Sequence, residues 1–201
     1  MIRLYDYPDC PFCQKVRVVL AEKDLEFEKE LIDLHKAEQK KPEFLKLNPY
    51  GKVPVLVDDD VVVYDSTIIN EYLDDEYPNP TLMPEDSANR ARVRQLEDFC
   101  DNSFIPPAGL ILAELHKPEG ERDAERVRRC QGEISRVLAR LETQLEGKEF
   151  LVGDFSLADI AFVPRVIILS QLGVELEARL QNVAAWIGRL RERASVRSLG
   201  F

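Results

Sequence analysis

The chain has 201 residues, of which 45% are hydrophobic and 32% charged, enough to form one large domain or two small ones. Its formal net charge of −10 leaves no basic excess to displace counterions from phosphates, which argues against direct binding of nucleic acid. No apolar run reaches the roughly 18 residues of a membrane span, and the N-terminus lacks the basic flank and apolar stretch of a signal peptide. We therefore expect a cytoplasmic protein without a membrane partner.

Strand-like and helix-like patterns alternate in the first part of the chain. In order, the predicted elements are a strand over 2–7, a helix opened by Pro11, a strand over 27–34, a short helix over 43–47, strands over 53–57 and 61–64, and a helix over 66–77. This βαβ-ββα order favours an α/β domain in which helices cover a mixed sheet. We predict that this domain spans residues 1–78.

The character of the sequence changes after a proline-rich stretch that contains Pro78, Pro80 and Pro84. Beyond it the hydrophobic pattern is helical throughout, with predicted helices over 88–116 (bent at Pro106-Pro107), 121–145, 157–172 and 177–193. The sequence therefore predicts a linker over 79–87 and an all-α domain over 88–201. Within that domain, Ser156 and Asp159 have the spacing of a capping box, which is a folding device.

The sharpest local motif is Cys10-Pro11-Phe12-Cys13, which follows a predicted strand and begins a predicted helix. The first turn of a helix carries unpaired N–H groups and a partial positive charge, so a thiolate at Cys10 would be stabilised there. Two alternatives remain open. A zinc site would need two further ligands, which lack paired spacing in this chain, and both cysteines could serve packing alone. We expect no metal.

Several motifs together resemble the glutathione-transferase superfamily. They are Cys10-Pro11-Phe12 after the first strand, Val53-Pro54 at a strand start and Asp65-Ser66 opening a helix. With the linker and the helical domain, the resemblance extends over essentially the whole chain, and it is greatest to the cysteine-type, omega-like members. It implies a thioredoxin-like N-terminal domain, a helical-bundle glutathione-transferase C-terminal domain, and a homodimer.

The resemblance also implies a set of glutathione-binding residues. Pro54 would be cis, so that the backbone of Val53 could form strand-like hydrogen bonds with the tripeptide. Ser66 and Asp65 would bind the γ-glutamyl carboxylate and ammonium groups, although an ordinary helix cap also explains this pair. The remaining implied contacts are a wall from Phe12 and a lysine for the glycine end, Lys41.

The implied activity is that of a glutathione-dependent thiol transferase or reductase, with Cys10 attacking glutathione mixed disulfides or small oxidised acceptors. Glutathione would act as cosubstrate, and the partners would be small-molecule or protein mixed disulfides. The omega pattern usually has a single cysteine, whereas Cys13 makes a dithiol here. Cys13 is therefore a candidate resolving thiol, in competition with a second glutathione.

A second interpretation is a non-enzymatic regulator. Residues 16–23, 77–84 and 155–157 also resemble the stringent starvation protein A group, which has the same fold and binds RNA polymerase. That group typically lacks the active-site cysteine and usually carries Pro-His-Pro in the linker. This chain retains Cys10 and reads Pro78-Asn79-Pro80, which favours the enzyme.

Overall fold

The computed structural model describes residues 1–200. The chain divides into two units, Met1–Met83 and Pro84–Phe201. Their boundary falls inside the predicted linker. No helix in the described part of the chain is long and apolar enough to cross a membrane.

The first unit is a four-stranded mixed sheet with helices, as predicted. Its elements are β1 (Ile2–Asp6), α1 (Pro11–Glu22), β2 (Phe27–Leu31), α2 (Pro42–Leu47), β3 (Val55–Asp58), β4 (Val61–Tyr64) and α3 (Ser66–Glu76). The strand order is β2-β1-β3-β4. Strand β1 is parallel to β2, with Ile2 opposite Phe27, and antiparallel to β3, with Leu4 opposite Leu56. Strands β3 and β4 form the predicted hairpin.

The core of this unit is built from apolar residues that recur at every second position in β1 and at helical spacing in α1. Ile2 and Leu4 of β1 are buried on one face, while Arg3 between them is exposed. On α1, Val16, Val19 and Leu20 are fully buried, and the two helices α1 and α3 pack against each other. Burying these aliphatic side chains contributes roughly 1.5–3 kcal/mol each.

Strand β2 is shorter than predicted, because it ends at Leu31 rather than at residue 34. The reason is the turn over residues 34–37, which Asp33 opens, since its Oδ1 accepts hydrogen bonds from the N–H groups of His35 (3.0 Å) and Lys36 (3.1 Å). A short acidic side chain that bonds to the backbone two and three residues on competes with strand pairing. The apolar residue Ile32 is still buried at the end of the strand.

A fully buried lysine fastens the end of α3 to the segment that follows it. Lys23 Nζ donates to Asp74 Oδ1 (2.8 Å) and to the carbonyl oxygens of Tyr77 (2.7 Å) and Pro80 (2.8 Å). The Asp74 carboxylate also accepts from the N–H groups of Leu82 (2.7 Å) and Met83 (3.1 Å). These bonds satisfy both buried charges with several partners, which is the condition for a buried ion pair to be stable.

The second unit is helical, as predicted. Its helices are α4 (Ser87–Ser103), α5 (Ile105–Leu115), α6 (Ala124–Gln144), α7 (Leu157–Val166), α8 (Gln181–Glu192) and α9 (Ala194–Arg197). The aromatic centre of its core is formed by Phe104, Phe162 and Trp186, all fully buried. The ring centroids of Phe104 and Phe162 lie 5.5 Å apart, and those of Phe162 and Trp186 lie 6.1 Å apart.

All four helices predicted for the second unit differ in their bounds. Those predicted over 121–145 and 177–193 are Ala124–Gln144 and Gln181–Glu192. The helix predicted over 88–116 is two helices, α4 and α5, separated at Phe104. Pro106 and Pro107 have no N–H groups for the carbonyls four residues earlier, so they begin a new helix instead of continuing the old one. The helix predicted over 157–172 ends at Val166, two residues after Pro164, and buried turns continue the chain.

The predicted capping box at the start of α7 is confirmed. The Ser156 N–H donates to Asp159 Oδ2 at 3.0 Å. The buried carboxylate of Asp159 also accepts from the Ser156 hydroxyl (3.1 Å), the Leu151 N–H (3.0 Å) and Trp186 Nε1 (2.8 Å). Burial raises the pKa of Asp159 to about 6, and the four donors oppose that rise. This carboxylate therefore joins three segments of the second unit.

A second carboxylate, that of Glu114, joins the end of α5 to the start of α6. It accepts from the Asp123 N–H (3.0 Å) and lies 2.8 Å from Lys117 Nζ and 2.9 Å from Arg126 Nη1. These contacts, first the Asp123 N–H and then the Lys117 ammonium, lower the pKa of Glu114 from 4.5 to about 2. The ionised form is therefore the form that stabilises the fold.

We expect Glu114→Gln to destabilise the second unit at pH 6, and the deficit to shrink as the pH falls. A carboxylate whose folded pKa is depressed contributes stability above its ordinary pKa of 4.5, and that contribution is lost as the pH falls towards 2. Urea unfolding, followed by the fluorescence of the single tryptophan, Trp186, measures the free energy of unfolding at each pH. Glu146→Gln, at an exposed position, is the control. A deficit that stays constant between pH 6 and pH 2 would contradict the assignment.

Candidate functional site

Cys10 occupies the N-cap position of α1, as the sequence predicts. Its backbone is extended (φ −72°, ψ 118°), and Pro11 is the first helical residue. The Cys10 carbonyl accepts the first helical hydrogen bond, from the Gln14 N–H at 3.0 Å. The cysteine is therefore fixed beside the unpaired N–H groups of the first turn, where a negative charge is favoured.

Cys13 lies in the same turn but in a different environment. It is fully buried, in a cluster with Ile32, Phe44, Val53 and Val55, and its thiol is hydrogen-bonded to the Cys10 sulfur. Burial first, and then this contact with Cys10, raise the pKa of Cys13 well above its ordinary value of 9.0. Cys13 is therefore a neutral thiol at physiological pH, and both cysteines are free rather than disulfide-bonded.

Five of the predicted glutathione-binding residues border one cavity of about 570 Å³ in the first unit. The five are Phe12, Val53, Pro54, Asp65 and Ser66. The Val53–Pro54 peptide bond is cis, as the resemblance implies. Cys10 is not among the residues that border this cavity. It packs against the buried cluster that contains Val53, and Val53 does border the cavity. A cavity of this size accommodates a small peptide.

Asp65 and Ser66 form the polar end of the cavity, at the start of α3. Asp65 is the N-cap, and its Oδ1 accepts from the N–H groups of Thr67 (3.0 Å) and Ile68 (3.4 Å). Its φ of 77° lies in the left-handed region, which costs a non-glycine residue of the order of 1–3 kcal/mol and is typical of functional sites. Ser66 is the first helical residue and is 3% exposed. The helix cap predicted as the alternative is therefore present.

The loop before Val53 adds a cation to this cavity that the sequence did not reveal. Lys52 borders the cavity, and its side chain makes no ion pair within residues 1–200. Asn48 shapes the loop, since its Nδ2 donates to the Lys52 carbonyl (2.7 Å) and its Oδ1 accepts from the Tyr50 N–H (3.0 Å). Gly51 is required at φ 59°, because a Cβ there would lie 2.8 Å from the Gln39 carbonyl oxygen.

Lys41, the residue predicted for the glycine end of glutathione, is placed elsewhere in the first unit. It borders a separate cavity of about 310 Å³ together with Tyr5 and Phe44. Its Nζ lies 2.9 Å from Glu38 Oε1, and this contact raises the pKa of Lys41. The cation that shares a cavity with Asp65 and Ser66 is that of Lys52.

Within residues 1–200, no group of three or more histidine, cysteine, aspartate or glutamate side chains is placed to hold a metal ion. The chemistry-bearing groups of the first unit are therefore the Cys10–Cys13 pair, the polar cavity with Asp65 and Ser66, and the cation of Lys52. A helix N-terminus, a carboxylate and an ammonium group are the kinds of group that hold a zwitterionic ligand, and a thiol at a helix N-cap is suited to thiol–disulfide exchange.

Comparison with known families matches both units. Residues 4–81 match the family model described as the N-terminal domain of glutathione S-transferase. Residues 103–194 match the model described as its C-terminal domain.

Two curated relatives cover most of the chain. A protein of Pasteurella multocida named as a stringent starvation protein A homolog is 34% identical over 191 residues, which are 94% of this chain and 85% of the relative. A glutathione S-transferase of Arabidopsis thaliana is 34% identical over 186 residues, 89% of this chain and 86% of the relative.

Two solved glutathione transferases have the same fold as this chain. A glutathione transferase of Phanerochaete chrysosporium, solved with oxidised glutathione, superimposes with a TM-score of 0.87 at 29% identity, covering 99% of this chain and 93% of that one. One of Burkholderia graminis, solved with two glutathione molecules per subunit, gives a TM-score of 0.82 at 28% identity, covering 98% and 86%.

Proposed function

Because the chain belongs to the glutathione S-transferase family, we propose that it is a glutathione-dependent thiol transferase of the cysteine type. The proposed nucleophile is Cys10, and the proposed substrates are mixed disulfides of glutathione with small molecules or proteins. The proposal includes a cytoplasmic homodimer that uses glutathione as cosubstrate and needs neither a metal nor nucleic acid.

The position of Cys10 supports this proposal more than any other observation. Cys10 lies four residues after the end of β1, at the N-cap of α1, where the helix dipole and unpaired N–H groups favour the thiolate. The adjacent Cys13 thiol supplies a further hydrogen bond to that sulfur. A hydroxyl at this point would activate glutathione for conjugation, whereas a thiolate reacts with its disulfides.

The proposed cycle has two balanced steps. The Cys10 thiolate attacks the glutathione sulfur of a mixed disulfide, forms a new disulfide with it, and releases the acceptor as a thiolate that takes a proton from water. A second glutathione, as its thiolate, then attacks the glutathione sulfur on Cys10. This regenerates the Cys10 thiolate and releases oxidised glutathione. The net change is that one mixed disulfide and one glutathione thiol give the acceptor thiol and oxidised glutathione, so each turn consumes a single glutathione thiol.

The cavity residues have separate tasks in this cycle. We assign the γ-glutamyl carboxylate to the Ser66 hydroxyl and the N-terminus of α3, and the γ-glutamyl ammonium to Asp65. The Val53 backbone would pair with the cysteinyl part. For the glycine carboxylate, Lys52 is a better-placed cation than Lys41, because it borders the same cavity and is not ion-paired within residues 1–200.

The alternative function is that of a regulator that binds RNA polymerase without catalysis. The observation that favours it is the similarity to the Pasteurella multocida protein, which extends over 94% of this chain. The retained Cys10 and the absence of histidine between Pro78 and Pro80 argue for the enzyme.

One experiment separates the two functions. The purified chain is assayed for reduction of the mixed disulfide between glutathione and 2-mercaptoethanol, and glutathione binding is measured by calorimetry. Turnover with saturable binding supports the transferase. A chain that neither binds glutathione nor turns over would instead favour the regulator.

We expect Ser66→Ala to weaken glutathione binding by roughly 1–3 kcal/mol, the usual range for losing a hydrogen bond to a charged group. The buried hydroxyl borders the cavity at the helix end assigned to the γ-glutamyl carboxylate. Isothermal calorimetry measures the change.

The chain offers a matched control for this variant. Ser87 is also the first residue of a helix and also follows an aspartate N-cap, Asp86, but it lies in the second unit and does not border the cavity. Ser87→Ala should leave the affinity for glutathione unchanged. Equal affinities for wild type, Ser66→Ala and Ser87→Ala would show that Ser66 is only a helix-start residue.

A further inference from the structure

A tyrosine and a histidine of the first unit form a hydrogen-bonded pair that the proposed cycle has not used. The Tyr7 hydroxyl and His35 Nε2 lie 3.0 Å apart. The two rings meet edge to face, with centroids 6.1 Å apart and an interplanar angle of 70°. Tyr7 is half-buried and packs against the buried cluster of this unit, whereas His35 is exposed. The pair therefore connects solvent with the interior of the unit.

The tyrosine of this pair is a neighbour of the proposed nucleophile. The Cys10 N–H donates to the Tyr7 carbonyl at 3.1 Å, so these residues are the first and last of one four-residue turn. Both side chains pack against the same buried cluster. The Cys13 sulfur contacts both the Cys10 sulfur and the Tyr7 N–H. Tyr7 and the two thiols therefore meet at the start of α1.

The histidine is held by a turn of its own. Asp33 Oδ1 accepts from the N–H groups of His35 (3.0 Å) and Lys36 (3.1 Å). Asp33 Oδ2 lies 2.9 Å from Lys36 Nζ, so these two charges are paired with each other. The backbone at His35 is fixed in this way, and its ring bonds to Tyr7. Tyr7 thus joins the turn that carries His35 to the turn that carries Cys10.

This arrangement can move a proton from water to a sulfur atom. When the imidazolium form of His35 donates its Nε2–H to the phenol oxygen, the hydroxyl proton of Tyr7 is free for a second acceptor. Transfer of that proton to a thiolate gives a thiol and a phenolate. The phenolate takes the Nε2 proton, and the exposed His35 regains a proton from water. The thiolate gains one proton, water loses one, and no electrons are exchanged.

The first step of the proposed cycle needs such a proton. The acceptor leaves as a thiolate, and a weakly acidic thiol leaves slowly because its sulfur holds negative charge poorly. A proton donor beside that sulfur speeds its departure. The neighbouring Cys13 thiol is a poor donor, because burial raises its pKa.

We propose that Tyr7 is a catalytic residue that protonates the departing acceptor sulfur, and that His35 is a positioning residue that orients the Tyr7 hydroxyl and resupplies its proton. This inference rests on the proposed function, because it adds a proton donor to the first step of that cycle. It also names a substrate class. Mixed disulfides of glutathione with weakly acidic, aliphatic thiols gain most from such a donor.

The test compares two mixed disulfides of glutathione. One releases 2-mercaptoethanol, a weakly acidic thiol, and the other releases 5-thio-2-nitrobenzoate, an acidic thiol that departs readily without a proton. The full chain is in excess and free glutathione is omitted, so that mass spectrometry follows a single event, glutathionylation of Cys10. We expect Tyr7→Phe to slow the reaction with the first disulfide by roughly a hundredfold. The rate with the second should stay within about twofold of wild type.

Variants of the histidine and a matched tyrosine complete the test. His35→Leu should show the same selective loss, and His35→Gln should recover part of it, because the amide can still bond to the phenol. The control is Tyr72→Phe. The Tyr72 hydroxyl is also hydrogen-bonded, to Asp58 Oδ2 at 3.2 Å, but Tyr72 does not border the cavity assigned to glutathione. This variant should leave both rates unchanged.

Equal slowing of both reactions by Tyr7→Phe would overturn the inference, because a residue that only supports the fold affects both leaving groups alike. An unchanged rate with the 2-mercaptoethanol disulfide would overturn it as well. If His35→Leu slowed neither reaction, His35 would have no part in the proton transfer. Each of these results requires an active wild type. A wild-type chain that reacts with neither disulfide would instead overturn the proposed function, and this inference with it.

Discussion

Replacing Cys10 by serine should abolish glutathione-dependent reduction of a small mixed disulfide, lowering the rate by roughly a thousandfold or more. A serine hydroxyl at the N-cap of α1 can still accept and donate hydrogen bonds. It is almost never ionised at neutral pH, however, so it cannot displace a thiolate from a disulfide. The measurement is thiol-transferase activity at saturating glutathione for wild type and variant.

Cys13→Ser is the matched control, and it should retain most of the activity. The Cys13 thiol is fully buried, and its raised pKa keeps it neutral, so it is a poor nucleophile at the pH of the assay. Serine keeps a hydrogen-bond donor beside the Cys10 sulfur. If Cys13→Ser proved as inactive as Cys10→Ser, the enzyme would resolve its intermediate through an internal disulfide, and the single-thiol cycle proposed above would be wrong.

Local signals made much of the first unit predictable. Pro11 marks a helix start, the alternation in β1 marks a half-buried strand, and Asp58 to Asp60 mark the hairpin turn, because each depends on residues within a few positions. The same holds for Cys10, whose position at a helix N-cap follows from the residues on either side of it.

The positions of the lysine side chains do not follow from the local sequence. The resemblance assigns Lys41 to the glycine end of glutathione, and that assignment stays a prediction. The structure places Lys41 at one cavity and Lys52 at the cavity with Asp65 and Ser66. Where a long side chain ends depends on the turn made by Asn48 and Gly51, and no pattern of charged residues reports that turn. Lys23 shows the same limit, since a lysine at the end of a helix is normally exposed, and only the carbonyls of a distant segment explain its burial.

In the second unit, the prolines limit how well helix bounds can be predicted from the sequence. Proline predicts that a helix is disturbed but not which residue ends it. Pro106 and Pro107 were expected to bend one helix, and they start a second one after Phe104. Whether a bend or a break forms depends on how Phe104 packs, and here it is buried against Phe162. That contact spans 58 residues and has no signature in the local sequence.

Lys23→Met should destabilise the first unit by about 3–5 kcal/mol, the range for removing one partner of a buried ion pair. Methionine fills a similar volume, so the loss is electrostatic rather than a cavity effect. It leaves the buried Asp74 carboxylate with only the Leu82 and Met83 N–H donors, and it leaves two carbonyls without the ammonium group. Native-state hydrogen exchange of α1 and α3 measures the opening free energy of this unit directly.

The control for this variant is an ion pair at the protein surface whose N···O distance is nearly the same. Lys36 Nζ lies 2.9 Å from Asp33 Oδ2, but the Lys36 side chain is 77% exposed, so Lys36→Met should leave hydrogen exchange of α1 and α3 unchanged. A second variant isolates the cause. Adding Asp74→Asn to Lys23→Met removes the unpaired buried charge and should recover part of the lost stability, because the amide oxygen can still accept from Leu82 or Met83. If the double variant is no more stable than Lys23→Met, the loss comes from the unsatisfied carbonyls of Tyr77 and Pro80, and the charge on Asp74 is not what Lys23 is there to balance.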